Sequence, residues 1–308
     1  HTNGYVSVYG HLKEFENKIN NYVTEYQYKN KKFAVDIFPN KDKFLVRQGE
    51  KIGISGNSGS SQGPHLHFEI RNASNEHPVN PLLFNFDIED SIKPVFYGVT
   101  IYPIDYASHV SLRNDKLSIS AKRQGNDYGI LTNKPIPVFG NIGFGIECND
   151  FLNGSSNKCG VFTIELMLDS ILIYSTNMSE LDFAEQGYVK SHIDYESKVK
   201  ERKTIQKSYI DPNNKSSIYK FDLHNGIISV NDTLTHKLIF TISDVNNNKS
   251  SLVLNVKGLN IPFEDSLTFQ PEYTQAMPFR IENTFADENI EVIFPANSLF
   301  RDLFFDYA

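Results

Sequence analysis

Two kinds of apolar pattern meet near residue 90. Before it, residues 5–12 alternate enough to predict a strand, and residues 15–26 carry apolar side chains at helical spacing. Because the helical stretch separates strand-like segments, we predict a first, mainly β domain over residues 1–86 with a helical insertion. Its further strands are predicted over residues 33–38, 43–46, 51–55 and 65–71.

From residue 94 onward, short apolar runs recur at regular spacing with turn residues between them, which is typical of a β-sandwich. We predict an immunoglobulin-like sandwich over residues 94–258. A charged, partly amphipathic stretch over residues 181–205 predicts a helix inserted into it, with His192 and Glu196 as a surface pair one turn apart. Residues 259–308 predict the start of a third β domain.

Length, charge and hydrophobic content indicate how many domains to expect and which kinds of protein are excluded. The chain has 308 residues, a net charge of −7 and 40% hydrophobic residues, so it is long enough for two to three cored domains. A negative net charge without a basic face argues against nucleic-acid binding. The sequence holds no apolar run of the roughly 18 residues that a membrane-spanning helix requires, so we predict no transmembrane span.

Two cysteines, Cys148 and Cys159, flank a polar segment rich in Asn, Gly and Ser. That composition predicts a hairpin, which would bring the two side chains opposite each other. A disulfide and two separate thiols are both compatible with this spacing, and two cysteines alone do not form a structural zinc site.

The most informative stretch is residues 56–71, a Gly- and Ser-rich loop followed by His-Leu-His-Phe-Glu. In a strand, residues two apart face the same side, so His65 and His67 project together. Two imidazoles beside a flexible loop suit a metal ligand next to an acid/base group, although such a pair also occurs on a wet sheet face. The glycine spacing fits neither a nucleotide-binding loop nor a serine-hydrolase turn.

Three ordered motifs resemble the lysostaphin/LytM-type zinc endopeptidases, which cut peptide cross-links in peptidoglycan. Gly-Tyr-x-x-x-Tyr-x-His-Leu lies at residues 4–12, the turn Val-Arg-Gln-Gly-Glu-Lys-Ile-Gly at 46–53, and Gly-Asn-Ser-Gly followed by Gly-Pro-His-Leu-His-Phe-Glu at 56–69. The resemblance covers about the first 85 residues. It implies an antiparallel peptidase sheet, and it makes residues 14–43 an insertion.

The resemblance also implies roles for single residues. His67 is the zinc ligand and His65 the acid/base group, while His11 is a second acid/base or electrostatic helper. Glu69 would orient an imidazole, or it is simply a solvated strand residue. The implied substrates are peptidoglycan peptides in a bacterial cell envelope. A partner protein of the envelope would then bind through the sandwich domains.

The other two zinc ligands of that family form a His-x-x-x-Asp motif, which precedes the Tyr-x-His-Leu strand. No such motif occurs in the sequence, so we expect these ligands upstream of His1 and expect the native chain to begin earlier. We predict that residues 1–308 alone neither bind zinc tightly nor hydrolyse peptides. The alternative is a degenerate peptidase fold that serves as a binding or scaffold module in an envelope complex, and the residues before His1 would decide between the two.

Overall fold

The computed structural model describes residues 1–105, 107–132, 134–259 and 273–307. The protein is mainly β, as predicted, and it divides into two compact units, His1–Pro81 and Leu82–Ala308. Among the described residues, no helix has the length and apolar character needed to cross a membrane.

The first unit is a small antiparallel structure with one helix. Strand β1 pairs with β4, and β4 with β5, while β2 and β3 form a separate antiparallel pair. Its elements are β1 (Tyr5–Gly10), β2 (Leu12–Phe15), α1 (Asn17–Asn30), β3 (Gly53–Ser55), β4 (His67–Asn72) and β5 (Pro78–Val79), and a 3₁₀ turn follows at Pro81–Phe84.

Helix α1 lies within the predicted insertion over residues 14–43, and both of its ends are capped. The Glu16 carboxylate accepts from the Lys18 amide at its start, and Lys31 closes it in the left-handed conformation with φ 49°. The strands predicted over 33–38 and 43–46 are wrong, because this backbone pairs with no neighbouring strand among the described residues. Instead, the Phe44 ring packs on Tyr22 of α1, with 5.3 Å between ring centroids.

Little apolar surface is buried in the first unit. Of residues 1–81, all of which the structure describes, Ile70 alone is a buried hydrophobic residue, with 8% of its surface exposed. Phe33 and Phe38 are 93% and 87% exposed. The sheet β1-β4-β5 therefore depends more on its hydrogen-bond ladder than on a packed core.

In its described residues, the second unit is built from strands with two short α-helices and two 3₁₀ turns between them. The 3₁₀ turns lie at Phe183–Tyr188 and His224–Gly226. The strands and helices are β6 (Val95–Pro103), β7 (His109–Val110), β8 (Leu117–Gln124), β9 (Asp127–Ile130), β10 (Ile136–Asn149), β11 (Thr163–Leu168), β12 (Ile171–Asn177), α2 (Val189–His192), α3 (Tyr195–Lys200), β13 (Ile205–Lys207), β14 (Tyr219–Asp222), β15 (Ile228–Val230), β16 (Thr235–Ser243), β17 (Lys249–Gly258), β18 (Gln275–Met277), β19 (Asn283–Ala286), β20 (Glu291–Phe294) and β21 (Leu303–Phe305).

Strands β6 to β17 form a network of twelve paired strands in two layers, which we call the sandwich; its immunoglobulin-like character stays a prediction. One layer has the order β13-β10-β6-β8, and the other continues β8-β9-β17-β16-β11-β12-β14. Strand β10 joins both layers: Ile142 to Asn149 pair with β6, whereas Ile136 to Val138 run parallel to β17. The change of layer falls at Gly140, whose φ of +82° a residue with a side chain rarely adopts.

A continuous core lies between the layers. Phe144 of β10 packs against Phe240 of β16 with ring centroids 6.3 Å apart, and neither side chain is exposed. Ile101, Leu166 and Leu252 are likewise fully buried. The second unit thus has the alternating inward face that its sequence pattern predicts.

The single helix predicted over 181–205 is wrong. Ile193 adopts an extended conformation and bridges to Gln206, which ends α2, and the Asp194 carboxylate then caps α3. His192 is not a surface residue: it is 4% exposed, between the Gln206 side chain and the Tyr219 hydroxyl. Burial lowers the pKa of His192 to about 4.

The predicted hairpin between the cysteines is present, since Asp150 and Cys159 exchange backbone hydrogen bonds of 2.9 and 2.8 Å. The two thiols are not bonded, and Cys148 is buried while Cys159 is half-buried.

The C-terminal strands form two short antiparallel pairs, β18 with β21 and β19 with β20. The Asn213 amide of the sandwich donates to the carbonyls of Asn297 and Leu299. Residues 260–272 of the predicted third domain lie outside the described residues, so its separate identity stays a prediction.

Candidate active site

The pairing of β1 with β4 brings two of the predicted site histidines together. Gly10, the last residue of β1, lies opposite His67, the first residue of β4, so His11 follows directly beside His67. A Cβ atom on Gly10 would lie 3.1 Å from the Cβ of His67. Glycine at position 10 therefore leaves room for the imidazole that the neighbouring strand presents.

His11 is held by the Gly- and Ser-rich loop. Its Nδ1 donates to the Ser58 carbonyl at 2.8 Å, and the Ser58 hydroxyl donates back to the Leu12 carbonyl at 2.8 Å. The backbone of His11 has φ 58°, a left-handed conformation that is unusual for a residue with a side chain. Strain of this kind concentrates at functional sites, where neighbouring contacts maintain it.

His65 comes from the other end of the same loop. Its backbone bridges to Gly56, and its Nδ1 donates to the Gly63 carbonyl at 2.8 Å, with the Ser61 hydroxyl 3.2 Å away. The predicted strand over 65–71 thus begins two residues later, at His67, because His65 still belongs to the turn that closes the loop.

The three rings lie side by side. The ring centroid of His11 is 4.7 Å from that of His65 and 5.8 Å from that of His67. His65 is exposed, and the His67 side chain is 43% exposed. The three imidazoles therefore gather at a surface that substrate can reach, rather than within a hydrophobic core.

Glu69 contacts His67 directly. Its Oε1 lies 2.5 Å from the His67 Nε2, and its Oε2 accepts from the Arg71 Nε at 2.6 Å. The Arg71 hydrogen bond, with a smaller contribution from His67, lowers the pKa of the Glu69 carboxyl and keeps it ionised near neutral pH. The Glu69 side chain is 18% exposed, and its role in orienting an imidazole stays a prediction.

These contacts fix which nitrogen of each neutral ring carries the proton. A carbonyl or carboxylate oxygen only accepts, so His11 and His65 are protonated on Nδ1 and His67 on Nε2. The lone pairs of His11 and His65 are then on Nε2, and that of His67 is on Nδ1. An imidazole held by a carboxylate through its other nitrogen is the usual form of a metal-ligating histidine.

His67 fits a zinc ion as one ligand, but the three rings do not form a shared set. No choice of one nitrogen per ring brings all three within 4.8 Å of one another. Among the described residues, the one group of three such side chains that meets this distance is Asp90, Asp150 and Asp244 in the second unit. The three imidazoles therefore do not offer one common set of three ligand atoms, and the separate roles of His67, His65 and His11 stay predictions.

Two partners in this site were not predicted. Arg71 lies two residues beyond Glu69 on β4, so the alternation of a strand already placed it on the same side as His67. Ser61 has no comparable signal, because its contact with His65 depends on the path of the loop.

An antiparallel sheet that presents accessible imidazoles, one of them oriented by a carboxylate, has the chemical groups that metal-assisted hydrolysis requires. The family model described as Peptidase family M23 matches residues 19–81, and this match supports a LytM-type peptidase family. No curated protein and no solved structure matches the chain.

The matched segment contains His65, His67 and Glu69 but begins after His11. It also includes most of α1 and most of the predicted insertion over residues 14–43. The match supports a peptidase, and the roles of the individual residues stay predictions.

Proposed function

We propose that the protein is a zinc-dependent endopeptidase that hydrolyses peptide cross-links of peptidoglycan in a bacterial cell envelope. The observation that carries this proposal is the contact of Glu69 with His67, beside two further imidazoles with free lone pairs. The M23 match over the same segment supports it.

In this proposal, His67 is the metal ligand of the chain. Glu69 holds the proton on Nε2 and leaves Nδ1 to bind the ion, and Arg71 keeps Glu69 in place. Zinc, when bound, polarises the scissile carbonyl and makes water a nucleophile near neutral pH. The remaining ligands are assigned to the family's His-x-x-x-Asp motif.

His65 and His11 are proposed as the proton-transfer groups. Each donates from Nδ1 to a backbone carbonyl, so each offers Nε2 to accept a proton from the attacking water. The same nitrogen then returns the proton to the departing amine, which breaks the peptide bond. Imidazole suits both steps because it exchanges protons near neutral pH.

The test is a digest of purified, cross-linked muropeptides by the full-length protein, with and without a chelator. We expect new amine termini at the cross-link, detected by mass spectrometry, and their loss on chelation with recovery when zinc is restored. Absence of products under all conditions, together with retained binding to peptidoglycan, would favour the alternative of a binding or scaffold module.

We further propose that the β-sandwich positions the peptidase unit by binding the wall or an envelope partner protein. A pull-down with isolated peptidoglycan tests this. It compares the full chain with a variant that lacks residues 1–81. The sandwich alone should retain the binding if the proposal is correct.

A further inference from the structure

Three aspartates meet within the second unit, far along the chain from one another. Asp90 precedes β6, Asp150 follows β10 and Asp244 follows β16. One carboxylate oxygen from each lies within 4.8 Å of the others. The fold thus brings three negative charges together from the segment before the sandwich and from two of its loops.

These carboxylates destabilise the folded state when no cation is bound. Asp150 and Asp244 are only 3% and 4% exposed, and among the described residues Oδ1 of Asp150 has no hydrogen-bond partner. A buried carboxylate oxygen without a partner is destabilising unless a proton or a cation compensates it.

The other two members are oriented by Asn248 and by backbone amides. The Asn248 backbone amide and side-chain amide donate to the two oxygens of Asp244 at 2.8 and 2.6 Å, and the side chain also reaches the Asp90 carbonyl at 3.1 Å. The Ile92 amide donates to Asp90 Oδ1 at 3.0 Å. These donors hold Asp90 and Asp244 close to each other and to Asp150 instead of letting them separate.

We propose that Asp90, Asp150 and Asp244 bind a calcium ion. Calcium takes oxygen ligands at about 2.3–2.6 Å, so the ligands of one ion lie within about 5 Å of one another. The three carboxylate oxygens meet this condition, since they lie within 4.8 Å of one another. Two of the three carboxylates are buried, which leaves little room for the waters that magnesium keeps. Asp90 is partly exposed and provides the route of entry.

The bound ion would tie the segment before β6 to the loops after β10 and β16. This site is separate from the proposed peptidase site and does not depend on its activity.

The experiment is calcium titration of the full chain after chelator treatment, followed by calorimetry and by thermal unfolding. We expect saturable binding with a Kd on the order of 0.1–1 mM, a rise in Tm with calcium concentration, and a weaker response to magnesium. No heat and no shift in Tm up to about 10 mM calcium would overturn the proposal.

Single substitutions test whether calcium binds at these three aspartates. Asp90→Asn, at the partly exposed position, should fold and bind calcium at least about tenfold more weakly. Asp150→Asn should raise Tm in chelator, because it removes a buried charge, and abolish the rise with calcium. Asp115→Asn, which removes an exposed carboxylate before β8, is the control and should bind as the wild type does. Unchanged binding in both Asp90→Asn and Asp150→Asn would show that calcium binds elsewhere and refute the assignment.

Discussion

The two units of this protein divide packing and chemistry between them. The first unit carries three adjacent imidazoles but buries one hydrophobic residue, Ile70, among its fully described 81 positions. The second buries a continuous core between two layers. Among its described residues His192 is the one buried histidine, and both of its nitrogens lie near polar partners.

This difference shows how each set of polar groups is kept in position. In the first unit, hydrogen bonds to carbonyls and to Glu69 orient exposed rings, so their lone pairs stay accessible. In the second, packing removes His192 from water and makes its charged form unfavourable. Access to solvent, more than residue type, separates the candidate catalytic histidines from the structural one.

The largest expected effect is in the sandwich core. Phe240→Ala should lower the free energy of unfolding of the second unit by about 3–5 kcal/mol, because the side chain is fully buried against Phe144. Phe33→Ala, at a 93% exposed position in the first unit, is the matched control and should change stability by less than about 0.5 kcal/mol. Urea denaturation measures both, and similar losses would contradict the contrast between the units.

The next effect depends on pH. Because the pKa of His192 is lowered from 6.5 to about 4 in the folded state, the unfolded chain binds more protons between these values. Stability should therefore fall as pH drops from 6.5 to 4, by roughly 3 kcal/mol from this residue. Denaturation curves of the wild type and His192→Gln across this range measure the contribution.

His236 provides a control of opposite sign. The hydrogen bond to Asp169 raises its pKa, so its contribution is present below pH 6.5 and is lost as pH rises through the folded value. His236→Gln should therefore leave the acid-side loss intact, whereas His192→Gln should reduce it. An acid-side slope unchanged by His192→Gln would show that His192 is not its source.

Hydrogen exchange of the wild-type protein should reveal the difference in packing between the two units. We expect amides of β16 and β17 to exchange about 100-fold more slowly than those of β1 and β4, because the latter lack a packed core and open locally. Equal protection of the two ladders would show that the first unit gains its stability in another way.

The smallest effect concerns the orientation of His67. Glu69→Gln keeps the size of the side chain but weakens its hold on the Nε2 proton, so zinc affinity of the full-length protein should fall about 10- to 100-fold. Glu14→Gln, an exposed change on β2, is the control. Equal zinc affinity in the two variants would show that Glu69 does not support the ligand.

Local patterns predicted much of this molecule. The alternation over residues 5–12 and the motif at 63–69 were sufficient to bring His65 and His67 near one another and to anticipate the sheet. The roles that the resemblance implies for His11, His65 and His67 require the three rings to lie together. The β1–β4 register, which pairs Gly10 with His67, places His11 beside the other two rings.

Tertiary contacts explain where the patterns misled. Residues 33–38 have strand-like composition but find no neighbouring strand, and Phe44 packs on α1. The amphipathic stretch over 181–205 is broken because Ile193 bridges to β13 and His192 turns inward. The aspartate cluster was invisible in sequence, since its members are 60 and 94 residues apart and meet only in the folded sandwich.

The most direct test of the proposed site is to measure zinc content and muropeptide hydrolysis together in His67→Ala and His65→Ala variants of the full-length protein. We predict that His67→Ala loses both, whereas His65→Ala retains zinc at the wild-type level and loses most of its turnover. Zinc binding and hydrolysis that persist in His67→Ala would contradict the assignment of His67 as the metal ligand and, with it, the proposed mechanism.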